Sequence, residues 1–171
     1  HLGGSQYINS PALGRYEDHV IEELVPLVDS KLRTLPGPEH RGVMGKSSGG
    51  YGSLTLGIRH PDVFGAVACH SGDMNFEMCY KRDFGPAIRA IRKSGGVEGW
   101  MKQFFAAPRK RTEDFPALDT LAMAAAYSPN VGAPPAYCDL PFDLETGEMD
   151  EDVWKRWLAH DPVYLVDRYA E

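Results

Sequence analysis

Residues 41–73 constrain the fold of this chain more than any other stretch. A short apolar run at Arg41–Gly45 meets the glycine-rich turn "GKSSGG". Helix-compatible sequence follows from about Gly49 to Arg59 and stops at His60-Pro61. A second apolar run, Gly65–Cys69, ends in the polar turn "HSGD". Upstream, Val20, Ile21, Leu24, Val25, Leu27, Val28 and Leu32 recur at helical spacing across residues 15–35. Glu17 and Asp18 stand in the first turn, where the helix dipole favours acids. Pro26 is expected to kink this helix or end its first half. The order helix–strand–helix–strand implies parallel strands joined by helical crossovers, which is the α/β class.

The turn between the first strand and its helix admits two chemistries. Gly45-Lys46-Ser47 is the tail of a phosphate-binding loop, and Gly45 to Gly49 is also G-x-S-x-G. The phosphate loop requires a glycine five residues before Gly45, and that position is His40. It also places a flexible loop between strand and lysine, whereas Val43-Met44 abuts Gly45 directly. The G-x-S-x-G reading suits a sharp strand-to-helix turn that presents the serine hydroxyl at the carboxyl end of a sheet. Small residues are expected where the turn folds back on itself, at Gly45 and Gly49, with Gly50 and Gly52 letting the helix pack close. The Ser48 N–H would lie at the helix N-terminus, placed to stabilise an oxyanion. A glycine-rich structural turn with an ordinary serine stays open beside it.

The stretch "GVMGKSSGGYGSLTLGIRHPDVFGAVACHSGD" resembles the putative esterase family of α/β-hydrolases, among whose branches are the S-formylglutathione hydrolases (esterase D). Upstream, "YINSPALGRYEDHVIEELVPLVD" is similar to the loop and helix that precede the nucleophile strand in that family. The resemblance implies a serine esterase, cleaving carboxylic esters or thioesters through an acyl-enzyme. Ser47 matches the nucleophile and Ser48 the residue whose N–H forms half of the oxyanion hole. The triad order in this fold is Ser, then Asp or Glu, then His. The acid and the histidine are expected beyond Glu171, and the other oxyanion donor before His1. The resemblance thus implies a partial α/β-hydrolase whose chain is incomplete for catalysis. An alternative is a non-catalytic, hydrolase-like piece that pairs with another chain, or a copy of itself, to complete the sheet.

A base within the chain is also considered, because a neutral serine needs one. His70 follows the second strand at the same sheet edge as Ser47, as a residue lining the site or as a base. His160 lies downstream of Asp139, Asp143 and Glu145, so the triad order would be met. His19 reads as solvent-facing, His60 as a helix-end residue capping carbonyls, and His40 as a turn residue at the far end of the strand.

Residues 84–160 change character. Helix-like segments fall at about 84–94, 97–106, 116–127 and 149–159, with the Pro-rich run "SPNVGAPPAYCDLPFD" between the last two. No strand is expected there. The division is therefore a core segment over 1–83, a helical insertion or cap over 84–160, and a returning helix from 161 to 171. Trp100, Phe104, Phe105, Trp154 and Trp157 are either a lid over an acyl pocket or the core of the helical insertion, and helical spacing favours a core. The net charge of −6 disfavours nucleic acid and anionic membranes, and no apolar run approaches a membrane span. Three scattered cysteines suit neither a disulfide scaffold nor a zinc site, so no metal and no cofactor are expected. Without a leader segment they suggest reduced thiols in a cytoplasmic setting.

Overall fold

The computed structural model describes residues 5–169. Within that span the chain forms two compact units. The core unit comprises Ser5–Ser10, Gly14–Asn75 and the chain from Ala159 onward. The helical unit comprises Pro11–Leu13 and Phe76–Leu158. His1 lies outside the described residues.

The core unit opens with two short strands, β1 (Asn9–Ser10) and β2 (Gly14–Arg15), paired antiparallel within what the sequence suggested was plain loop. A helical span follows: α1 (Tyr16–Asp18), a π-helical stretch His19–Leu24, and α2 (Val25–Lys31). The chain stays helical through Pro26, which occupies the first turn of α2. The hydrogen-bond ladder changes type just before Pro26, so its missing N–H falls where the ladder is already shifting. None of the residues in this span is buried, and Leu24, Leu27 and Val28 stay exposed among the described residues.

After a short 3₁₀ turn at Pro38–His40, β3 (Gly42–Lys46) runs parallel to β4 (Ala66–His70), with α3 (Ser48–Arg59) between them in sequence. The register pairs Gly42 with Ala66 and Lys46 with His70, so both strands end level with each other. Helix α3 packs on both strands. The fit is close: a Cβ at Gly57 would lie 2.2 Å from Val67 Cγ2. Helix α9 (Pro162–Tyr169) packs on α3 in turn, and Tyr51, Leu56 and Leu165 are buried. The strands themselves are covered incompletely. Met44 is 81% exposed and Val67 42%.

The helical unit consists of α4 (Phe76–Cys79), α5 (Lys81–Lys93), α6 (Val97–Ala106), α7 (Phe115–Tyr127) and α8 (Glu151–Leu158). Helices α5 to α8 follow the expected segments within a few residues, because each carries an apolar stripe at helical period, and the single turn α4 was not expected. Phe84, Ala87 and Ile91 form that stripe on α5, and Val153, Trp154 and Trp157 on α8. Phe84 meets Trp154 and Trp157 edge to face at 5.7 and 5.8 Å, and Tyr127 joins Trp157 at 5.4 Å. The Trp157 indole N–H donates to Ser128 Oγ at 2.8 Å, so its polar edge is satisfied inside the core. The Pro-rich run is tied down by two bridges, Pro129 with Cys138 and Phe142 with Met149, and by Arg156, which donates to Asp139 at 2.6 Å. Burial pushes the Cys138 thiol up to about 12, so it is an inert packing residue. Trp100, Phe104, Trp154 and Trp157 are all buried, and Phe105 is exposed.

Candidate active site

The turn from β3 into α3 is strained in a way that only its surroundings sustain. Ser47 sits at φ 56°, ψ −126°, outside the regions an L-residue ordinarily occupies. Such a conformation costs on the order of 1–3 kcal/mol and persists only where neighbouring contacts hold it. Two backbone bonds do so. The Ser47 N–H donates to His70 O at 3.0 Å, and the Tyr51 N–H donates to Ser47 O at 3.0 Å. The first ties the turn to the end of β4 and the second starts the α3 ladder.

The steric demand falls unevenly on the glycines. A Cβ at Gly45 would lie 2.1 Å from Gly49 O, so this position admits glycine alone. At Gly49 a Cβ would meet nothing within 4 Å, so the expected mirror-image requirement there is absent. Gly50 carries the second demand, because its Cβ would lie 2.9 Å from Gly72 Cα in the loop after β4. The turn folds its strand end against the helix backbone, while the helix leans on the β4 loop.

Ser47 is exposed, and its Oγ has no hydrogen bond among the described residues. The amides of Ser48, Gly49 and Gly50 open α3, where first-turn N–H groups have no partner within the helix and the dipole is positive. A carbonyl oxygen developing negative charge beside Ser47 would meet these donors.

The histidines are dispersed. His70 closes β4 opposite Lys46; its carbonyl holds Ser47, and its ring is exposed. His160 lies between α8 and α9, where its carbonyl accepts the Tyr51 hydroxyl at 3.0 Å. Neither ring bonds to Ser47. The His60 ring pairs with Glu17 at 2.8 Å beside Arg59, which reaches the same carboxylate at 2.7 Å, so it does not cap carbonyls. His19 is exposed and faces Glu23 at 3.0 Å. The carboxylates upstream of His160 are engaged in the helical unit. Asn130, and then Arg156, hold Asp139 below the usual carboxylate range, and the Thr146 and Glu145 amides do the same for Asp143.

Sequence reasoning missed several contacts made around α3 and the loop after β4. Gln6 is buried and donates to Asp73 at 3.4 Å, and Tyr7 packs on α3 at Gly52. Asp161 is fully buried, and its Oδ1 accepts the N–H groups of Asn75 and Val163, each at 3.0 Å. The Asp-Pro pair that opens α9 signals a capped helix start, but nothing local reveals the tie to Asn75. Among the described residues, no group of three His, Cys, Asp or Glu side chains could hold a metal, and no helix is long and apolar enough to cross a membrane.

A strained serine turn between a parallel strand and its crossover helix, at the carboxyl end of the strand pair, belongs to the α/β-hydrolase fold, which this chain represents in part. Residues 9–171 match the model of the putative esterase family, and the chain belongs to that family. Its functional class is accordingly that of an esterase, a hydrolase for small-molecule esters. No curated protein matches the chain closely enough to add a named relative.

Proposed function

We propose that the protein is a serine esterase in which Ser47 is the nucleophile. The observation that carries this reading is the Ser47 backbone, held at positive φ at the strand-to-helix turn with Gly45 pressed against Gly49. Strain of this kind lifts the hydroxyl out of the chain's path and leaves it accessible, and it concentrates at functional sites. Ser47 Oγ attacks the ester or thioester carbonyl carbon, and the Ser48 N–H holds the oxygen as it gains charge. The alcohol or thiol departs, and water hydrolyses the acyl-enzyme to release the acid and regenerate Ser47. The general base and the acid that orients it come from outside residues 5–169, since no described ring nitrogen reaches Ser47 Oγ. In this reading the reaction needs no metal or cofactor.

The test combines a fluorophosphonate probe, adduct mapping by mass spectrometry, and p-nitrophenyl acetate hydrolysis, each with a Ser47→Ala control. Labelling at Ser47 with turnover lost in the control supports the reading. Turnover that survives Ser47→Ala overturns it.

A second reading has its own observation. Met44 at 81% exposure and the apolar side chains of α2 leave the strand pair incompletely covered among the described residues. Parallel strands are ordinarily buried on both faces. In this reading the chain associates with another chain or a copy of itself to complete the sheet. Size-exclusion chromatography with light scattering distinguishes the two: a well-behaved monomer rules out association.

A further inference from the structure

We propose that Asp161 is a positioning residue for the Ser47 turn. The proposal rests on Ser47 being the nucleophile but makes a structural claim of its own. The turn is attached to the segment after β4 at two points. His70 O accepts the Ser47 N–H, and Gly72 lies against Gly50 so closely that a Cβ on Gly72 would sit 2.6 Å from Gly50 C and from Tyr51 N. The segment Ser71–Asn75 therefore forms the surface against which the turn is held. That segment is itself strained. Ser71 at φ 49° and Asn75 at φ 54° are both in the left-handed region without being glycine. Such a loop holds one conformation only where something braces it.

The Asp161 carboxylate is that brace. It is fully buried, accepts the Asn75 N–H at 3.0 Å, and caps α9 by accepting the Val163 N–H at 3.0 Å. Helix α9 is in turn set against α3, with the neighbouring His160 carbonyl taking the Tyr51 hydroxyl at 3.0 Å. The path from carboxylate to nucleophile thus runs Asp161, Asn75, Gly72, Gly50, Ser47. Asp161 stays away from the reacting atoms; it fixes where the turn points.

Three substitutions in the full chain separate this role from simple helix capping. Asp161→Ser keeps a cap for Val163 but is too short to reach Asn75. Asp161→Asn keeps one acceptor oxygen in place. Gly72→Ala attacks the Gly72–Gly50 contact, further along the same path, with Asp161 intact. Amide hydrogen exchange at Ser47 and Tyr51 is the primary readout, because it reports the two bonds that hold the turn whether or not Ser47 reacts. Exchange is expected to quicken roughly tenfold or more in Asp161→Ser and Gly72→Ala, and to stay within about threefold of wild type in Asp161→Asn. Wild-type protection at Ser47 and Tyr51 in a folded Asp161→Ser variant would sink the proposal. If that variant does not fold, the same result in Gly72→Ala sinks it. Fluorophosphonate labelling at Ser47 is followed in parallel. Loss of protection in Asp161→Ser together with a probe that never distinguishes wild type from Ser47→Ala would uphold the brace and overturn the nucleophile.

Discussion

The two units solve the same burial problem differently. The helical unit buries Trp100, Trp154, Trp157, Tyr127 and Leu121 among themselves, each about 2% exposed or less. The core unit carries the strained turn and leaves Met44 and the α2 stripe uncovered among the described residues. Amphipathic helices can close on one another, whereas a pair of parallel strands has two faces and two edges to satisfy. The proposed nucleophile therefore sits on the less self-sufficient of the two. Strain at Ser47 is sustained there by a few backbone contacts rather than by a large apolar core.

This contrast can be tested, and the largest effect lies in the core unit. Ser47→Ala is expected to abolish probe labelling and lower esterase turnover at least ~10³-fold, with circular dichroism and melting temperature nearly unchanged. A comparable loss of melting temperature would mean that the serine braces the fold instead.

Next comes the helical unit. Trp157→Ala removes a fully buried ring and an indole donor, and is expected to cost about 3–5 kcal/mol in denaturant unfolding. Met44→Ser, at the bare strand, is expected to cost no more than about 0.5 kcal/mol in the monomer. Equal costs for the two would erase the difference between the units, and a large cost at Met44 would show that this face is covered in solution.

The glycines of the turn give a sharper comparison. Gly45→Ala is expected to lose about 1–3 kcal/mol and most of the labelling rate, because its Cβ lies on Gly49 O. Gly49→Ala is expected to change either by little, checked by the same thermal melt and probe assay.

The smallest effect concerns pH. Asn130 and Arg156 hold Asp139 below the ordinary value of about 3.9 in the folded state. A lowered carboxylate pKa contributes stability above the unfolded value, and that contribution is lost as pH falls through the folded pKa. Asp139→Asn is therefore expected to be less stable than wild type at pH 7, with the gap closing below about pH 4. Urea melts across that range check it, and a constant gap would mean that the ion pair with Arg156 contributes nothing.

Much of this protein was legible in its residues because the controlling forces are short-ranged. Apolar period placed α5, α6, α7 and α8 within a few residues, and glycine punctuation placed β3, the serine turn and α3. A missing glycine at His40 was enough to set the phosphate loop aside. What local pattern does not encode is which distant group each residue meets. That Gly45 is the crowded glycine and Gly49 the open one depends on how far the helix backbone folds back over the strand. Glu17 takes the His60 ring, which the sequence suggested would cap its own helix, because the long α1–α2 span returns to the end of α3. Asp161 reaches Asn75 across 86 residues, and only packing of α9 on α3 brings them together. The Ser47 turn was legible because its glycines, strand and helix are adjacent in sequence. What only the tertiary structure decided is its setting, where the His70 carbonyl bonds the Ser47 N–H and Gly72 lies against Gly50, neighbours in space that are distant in sequence.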